Sequence, residues 1–243
     1  MTLIAHRGGW DATLADLASV PVPDATDSYV PVPYSRLAEE VKLHIPRFGL
    51  RVEGEQYALA RDGKQMFGVL TCRNGHVGDW ALAIGLRSSY DRSLAVDLVA
   101  GSRVFVCDNL AFHGETQVSR KHTVNVFRDL PDLIYRMLDS VASMKDKMAA
   151  EIEGMKARSL SPYEADHLLI EAVRRNAIPA SRLPKVLEVW EGAATSEPRV
   201  LLERTAWSLF NAFTEVVKSR SPSDQMDGTL RLTRCFREVL ALS

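Results

Sequence analysis

The stretch Gln56-Tyr57-Ala58-Leu59-Ala60-Arg61-Asp62-Gly63-Lys64-Gln65-Met66-Phe67-Gly68-Val69-Leu70-Thr71 decides the architecture. Two strand-like runs flank a polar segment containing Asp-Gly, and glycine tolerates the positive φ that a tight hairpin turn needs. Downstream, Trp80-Ala81-Leu82-Ala83-Ile84-Gly85-Leu86 reads as another strand. Leu94-Ala95-Val96-Asp97-Leu98-Val99 and Arg103-Val104-Phe105-Val106-Cys107 read as a further antiparallel pair turning at Ala100-Gly101-Ser102. Residues 50–115 therefore predict an antiparallel sheet with hairpins.

Upstream, Pro21, Pro23, Pro31 and Pro33 lie among Asp24, Asp27 and Ser28. Each proline removes a backbone donor and biases its predecessor toward extended geometry, so residues 1–35 predict an extended arm. Residues 35–43 carry Leu37 and Val41 at helical spacing. Beyond Gln117 the apolar period lengthens: Ile134, Met137, Val141, Met144, Met148, Ile152 and Met155 form one stripe of a long helix over 129–157. Such a stripe suits a core face, and its methionines also suit self-association. Ser161-Pro162-Tyr163-Glu164 is a helix start with a capping serine, a first-position proline and a third-position glutamate. Shorter helices follow over 181–190, after Glu197-Pro198 with Trp207, Phe210 and Phe213, and over 229–242. The reading is α+β: an arm over 1–35, a sheet region over 36–116 and a helical region over 117–243, forming one unit.

The 243 residues hold 30 Lys+Arg against 31 Asp+Glu, a formal charge of -1, with 46% hydrophobic residues. This composition is that of a globular protein and excludes both a disordered chain and a polycation that binds nucleic acid through bulk charge. No apolar run reaches the length of a signal-peptide core or a membrane span. Cys72, Cys107 and Cys235 form an odd, widely spaced set, which predicts reduced thiols in the cytoplasm and no membrane.

No phosphate-binding loop, dinucleotide fingerprint, zincin motif or nucleophile elbow is present, and no cofactor is implied. Three patterns bear on chemistry. Cys72, His76, Cys107 and His113 are thiolate and imidazole donors of the kind zinc takes in fours, without the spacing of a defined finger. Cys107 with His113 or His122 as base and Asp108 or Asn109 as orienting group would make a nucleophile, although its alternating run also suits a buried core thiol. Third, Arg87-Ser88-Ser89-Tyr90-Asp91-Arg92-Ser93 supplies guanidinium and hydroxyl ligands for phosphate and a ring for stacking, extended by Arg103, Arg120 and Lys121. Between residues 87 and 121 five cations meet four carboxylates, Asp91, Asp97, Asp108 and Glu115. A solvated hairpin with internal ion pairs is the competing reading.

Gly85-Leu86-Arg87-Ser88-Ser89-Tyr90-Asp91-Arg92-Ser93-Leu94, continuing through Gly101-Ser102-Arg103-Val104-Phe105-Val106-Cys107-Asp108-Asn109-Leu110-Ala111-Phe112, resembles a bacterial and phage family labelled "phage/plasmid-like protein". Thr205-Ala206-Trp207-Ser208-Leu209-Phe210-Asn211-Ala212-Phe213-Thr214-Glu215 resembles that family's C-terminal helix signature. The resemblance implies a setting in prophages, plasmids and other mobile elements and carries over no catalytic residue. The plan of a hairpin-rich sheet followed by helices also resembles single-strand annealing proteins of the Rad52-like type, which bind the phosphate backbone and form rings.

These readings converge on a non-enzymatic accessory of a mobile element that binds or anneals single-stranded DNA. Arg87, Arg92 and Arg103 would contact phosphate and Tyr90 would stack on a base. Two alternatives stand beside it. One is a module contacting a host or mobile-element protein through the methionine stripe and Trp207, Phe210 and Phe213. The other is a cysteine-dependent enzyme. A homo-oligomer built on the helix over 129–157 is a further expectation.

Overall fold

The computed structural model describes residues 9–73, 80–104, 109–191, 204–217 and 222–241, without the side chains at 80, 103–104, 109–116, 142–145 and 222–225. Six strands form one sheet: β1 (Gly9–Ala12), β2 (Arg51–Ala60), β3 (Gln65–Arg73), β4 (Trp80–Ser89), β5 (Val96–Val104) and β6 (Asn109–Arg120). Every neighbouring pair is antiparallel and the spatial order is the sequence order. The decisive hairpin closes between Ala60 and Gln65, with Arg61, Asp62 and Gly63 at φ 50, 56 and 78. Around the sheet lie α1 (Leu14–Ser19), α2 (Tyr34–His44), α3 (Val126–Ala157), α4 (Pro162–Arg174), α5 (Leu183–Trp190), α6 (Ala206–Val217) and α7 (Pro222–Val239). The fold is α+β, sheet first and helices after.

All of β3 but its last residue is buried, so both of its faces are covered. On one face Tyr57, Leu59, Leu70, Ile84, Leu86 and Leu98 pack against Leu37 and Val41 of α2 and Leu130, Ile134 and Met137 of α3. The opposite face is built of smaller residues. Ala58, Val69, Ala83 and Val99, with Phe67, meet Met226 and Leu230 of α7 there. A second core joins the end of α3 to α4–α7 through Ile152, Leu168, Trp190, Trp207, Phe213 and Phe236. At roughly 25 cal/mol per Å² of apolar surface, these cores supply the main stabilising term.

Local signals fared well where neighbours in sequence decide. Ser161 accepts from the Glu164 N–H while Glu164 accepts from the Ser161 N–H, the expected capping box. Several expectations need correction. Residues 9–19 are not an extended arm: β1 pairs with β2, and α1 opens on a capping box between Thr13 and Asp16. The chain does not turn at Ala100-Gly101-Ser102. β5 runs straight through it, with a bulge between Val99 and Gly101 opposite β6, because these small residues fill buried strand positions rather than a loop. The sheet continues to Arg120 rather than 116, and α7 begins at Pro222 rather than 229, its first half docking on the sheet. The Glu197-Pro198 helix start lies outside the described residues; α6 opens at Ala206, where Thr205 and Ser208 bond reciprocally.

Of the methionine stripe, Met137, Met148 and Met155 are buried in the two cores, as are Trp207, Phe210 and Phe213; the Met144 side chain lies outside the described residues. No helix among the described residues is long and apolar enough to cross a membrane.

Gly68 tests how tightly the first face is packed. A β-carbon there would lie 2.9 Å from Cδ1 of Tyr57 and 3.3 Å from Leu86, whereas one at Gly54 meets only Thr71 at 3.9 Å. Gly68→Ala is expected to lose about 1–3 kcal/mol from overpacking. Gly54→Ala should lie within about 0.5 kcal/mol of the parent. Urea midpoints of the two variants check the difference.

Candidate functional site

In a meander, every second connection falls at the same end of the sheet. The β2–β3 turn, the β4–β5 loop at 90–95 and the exit of β6 therefore share one end, which the Asp24–Pro33 segment crosses. There Val30 N–H donates to the His122 carbonyl at 3.0 Å, and Tyr90 N–H to the Lys64 carbonyl at 2.8 Å.

The sequence-predicted serines hold this end together. Ser89 Oγ accepts from the Leu94 N–H at 2.8 Å and lies 3.2 Å from the Leu94 carbonyl, clasping the loop's two ends. Asp91 accepts from the Ser93 N–H at 3.0 Å and from its hydroxyl, an Asx turn. Burial works to raise the Asp91 carboxyl, and the Ser93 and Ser89 bonds with nearby Arg61 hold it below its ordinary value. Ser88 Oγ lies 3.2 Å from His122 Nε2, whose Nδ1 is 3.3 Å from the Val30 carbonyl. A carbonyl only accepts, so Nδ1 carries the proton and Nε2 accepts from Ser88. Burial lowers the His122 pKa, against the opposing effects of Val30 and Asp97.

Tyr90 is interior. Its ring stacks on Tyr34 at 3.9 Å and 6°. Tyr34 N–H reaches the Tyr90 hydroxyl at 3.3 Å and the Tyr34 hydroxyl donates to the Lys64 carbonyl at 2.8 Å. Burial pushes the Tyr90 hydroxyl up to about 12. Arg87 is also interior, its side chain 11% exposed, with Nε 2.7 Å from Asp97 and Nη1 3.0 Å from Asp227 of α7. Burial alone would lower its pKa, but the two carboxylates more than offset this and hold it charged. Arg120 pairs with Asp129 at 2.5 Å. Arg103 lies on β5, but its side chain is outside the described set. Of the expected phosphate ligands, Arg92 and Lys121 remain exposed.

Lys64 joins them. Lys64, Arg92 and Lys121 are exposed and make no ion pair with any described residue, whereas Arg61 pairs with Asp91 at 3.5 Å. All three belong to this end of the sheet: Lys64 is bonded through its carbonyl to Tyr90, the Arg92 guanidinium sits 4.5 Å above the Tyr29 ring, and Tyr29 lies 5.4 Å from His122, the neighbour of Lys121. Arg92 has φ 63, a left-handed conformation uncommon for a side-chain-bearing residue. Exposed Asp27 and Asp62 belong to the same segments, so this end does not carry a field of one sign. Sequence reading missed Lys64 and Tyr29. The meander topology was the signal for the first; nothing local marks the second.

The metal and thiol patterns fall largely outside the described residues. Cys72 is buried, and burial pushes its thiol up to about 12. Cys235 is likewise buried and raised to about 11. His76, Cys107, Asp108 and the His113 side chain lie outside the described residues. Among those described, no group of three or more His, Cys, Asp or Glu is placed to hold a metal. An interior pocket beside Glu151, Trp207 and Thr233 has room for about one water (10 Å³) and is a packing junction, pinned by Arg237 at 3.1 Å from Glu151.

The molecule thus defines a class: a meander sheet covered on both faces by helices, with a fixed, cation-bearing end. Residues 24–237 match the family model described as a domain of unknown function, DUF932, and the chain belongs to that family. No curated protein and no solved structure matches it.

Two measurements test the geometry. Arg87→Met leaves Asp97 buried without its guanidinium and is expected to cost about 3–5 kcal/mol; Asp97→Asn in the same chain should restore part of the loss in chemical denaturation. Burial lowers the His122 pKa in the folded state, while the unfolded chain takes up its proton near pH 6.5. The unfolded state therefore binds more protons as pH falls below about 6.5, and stability drops over that range. His122→Gln should flatten this dependence in denaturation midpoints measured from pH 7.5 to 5.

Proposed function

We propose that this DUF932 member is a non-enzymatic accessory of a phage- or plasmid-type mobile element, acting in the cytoplasm by binding single-stranded DNA. The observation that carries the reading is the set Lys64, Arg92 and Lys121 at one end of the sheet: exposed cations without carboxylate partners among the described residues, on a loop end fixed by internal hydrogen bonds. Neighbouring cations are neutralised in place, Arg87 by Asp97 and Asp227, Arg61 by Asp91 and Arg120 by Asp129. Three free cations along one end suit a strand of phosphates better than one compact anion. The near-neutral net charge makes binding local and salt-sensitive. The mobile-element setting is supported by the resemblance of residues 85–112, and the annealing plan by the sheet-then-helix order.

Fluorescence anisotropy with a labelled single-stranded oligonucleotide at 50 and 200 mM salt tests the proposal. With about three phosphate contacts, log K is expected to fall with log salt at a slope of about -2. Lys64→Ala/Arg92→Ala/Lys121→Ala, all at exposed positions, should abolish most of that slope and weaken binding at least about tenfold. Absent binding at low salt, or a triple variant indistinguishable from the parent, overturns the proposal.

A further inference from the structure

The sequence offered Tyr90 as the stacking ring, but Tyr34 covers it and its hydroxyl is engaged. The same end of the sheet contains a second tyrosine whose setting is different. Tyr29 is held by a tight turn in which Thr26 and Tyr29 bond reciprocally at 2.8 and 3.3 Å. Its hydroxyl reaches the Ser89 carbonyl at 3.3 Å, tethering the far edge of the ring to β4. His122 lies against the ring at 5.4 Å and 42°. The ring is only 5% exposed, and the Arg92 guanidinium stands 4.5 Å over its centroid.

That guanidinium belongs to an exposed residue on a loop and is held by no carboxylate among those described. An exposed cation–π contact is weak, whereas a guanidinium–phosphate pair is charge-assisted and bidentate. A phosphate arriving at Arg92 therefore competes with the ring for the same group. When the guanidinium leaves, a flat aromatic face opens whose orientation is already fixed by the turn and the Ser89 bond. Nucleobases stack on such faces whatever their sequence.

We propose that Tyr29 is the base-stacking platform of this protein and Arg92 its lid: the guanidinium moves from the ring to a backbone phosphate, and a base takes its place. The inference rests on the single-stranded DNA reading and adds a base-contacting residue to it. Arg92 combines this placement over Tyr29 with a left-handed φ of 63.

The test compares the full chain binding to oligothymidylate and to an abasic deoxyribose-phosphate strand of equal length. Oligothymidylate is expected to bind about 5- to 150-fold tighter, the span of one base–aromatic stack. Tyr29→Leu should erase the difference and Tyr29→Phe should keep it. Because Tyr29 is buried, a measurement on the unaltered protein accompanies these: photocrosslinking to an iododeoxyuridine-bearing strand should attach to Tyr29. Equal binding of both strands, or an efficient crosslink elsewhere with Tyr29 unmodified, overturns the inference and leaves the phosphate contacts intact. Binding of neither strand removes the nucleic-acid reading and the platform with it.

Discussion

A sheet whose central strands are apolar on both faces has to be covered twice, and nearly everything else follows from how the chain does so. The face bearing Leu70, Ile84 and Leu98 is covered by helices from both sides of the sheet in sequence, α2 before it and α3 after it. The face bearing Ala58, Val69 and Ala83 is covered by α7. Small residues on that second face let a helix lie close. The meander makes this double cover straightforward, since its connections stay at the sheet's two ends and leave the faces clear.

Arg87 marks where the second cover is registered. A charge in that position is costly to desolvate, and pairing with Asp97 offsets the cost only while both stay in place. The bond to Asp227 adds a directional contact between β4 and α7 that apolar packing by Met226 and Leu230 does not supply. The same geometry withdraws the most obvious phosphate ligand of the sequence from solvent. A side chain that looked functional turns out to align a helix.

At the cation-bearing end, buried polar groups do the positioning, while Lys64, Arg92 and Lys121 stay exposed. Ser88, Ser89, His122 and Tyr34 are satisfied internally, and together they fix a loop that would otherwise be free to move. The Arg92 guanidinium then rests over the Tyr29 ring. Preorganisation of this kind lowers the entropy that a ligand must remove on binding.

Much of the architecture was legible one residue at a time. The Arg61-Asp62-Gly63-Lys64 turn, the Ser161–Glu164 capping box and the helical stripe beginning at Ile134 are all read from neighbours within a few positions, because turn stereochemistry, capping and periodicity are local properties. What misled was equally local: Ala100-Gly101-Ser102 has the composition of a turn, but the bulge opposite β6 and burial on both faces decide that it is strand. The site depended on long-range meetings. Arg87 and Asp227 are 140 residues apart, Tyr29 and Ser89 sixty, and no spacing rule announces such pairs. The amino-acid sequence by itself determined most of the strands, turns and helices, since each residue's backbone preference acts on its own neighbourhood. Only the packed chain decided which cations are neutralised and which ring lies under a guanidinium, because charge pairing and burial belong to the elements that meet and not to any one of them.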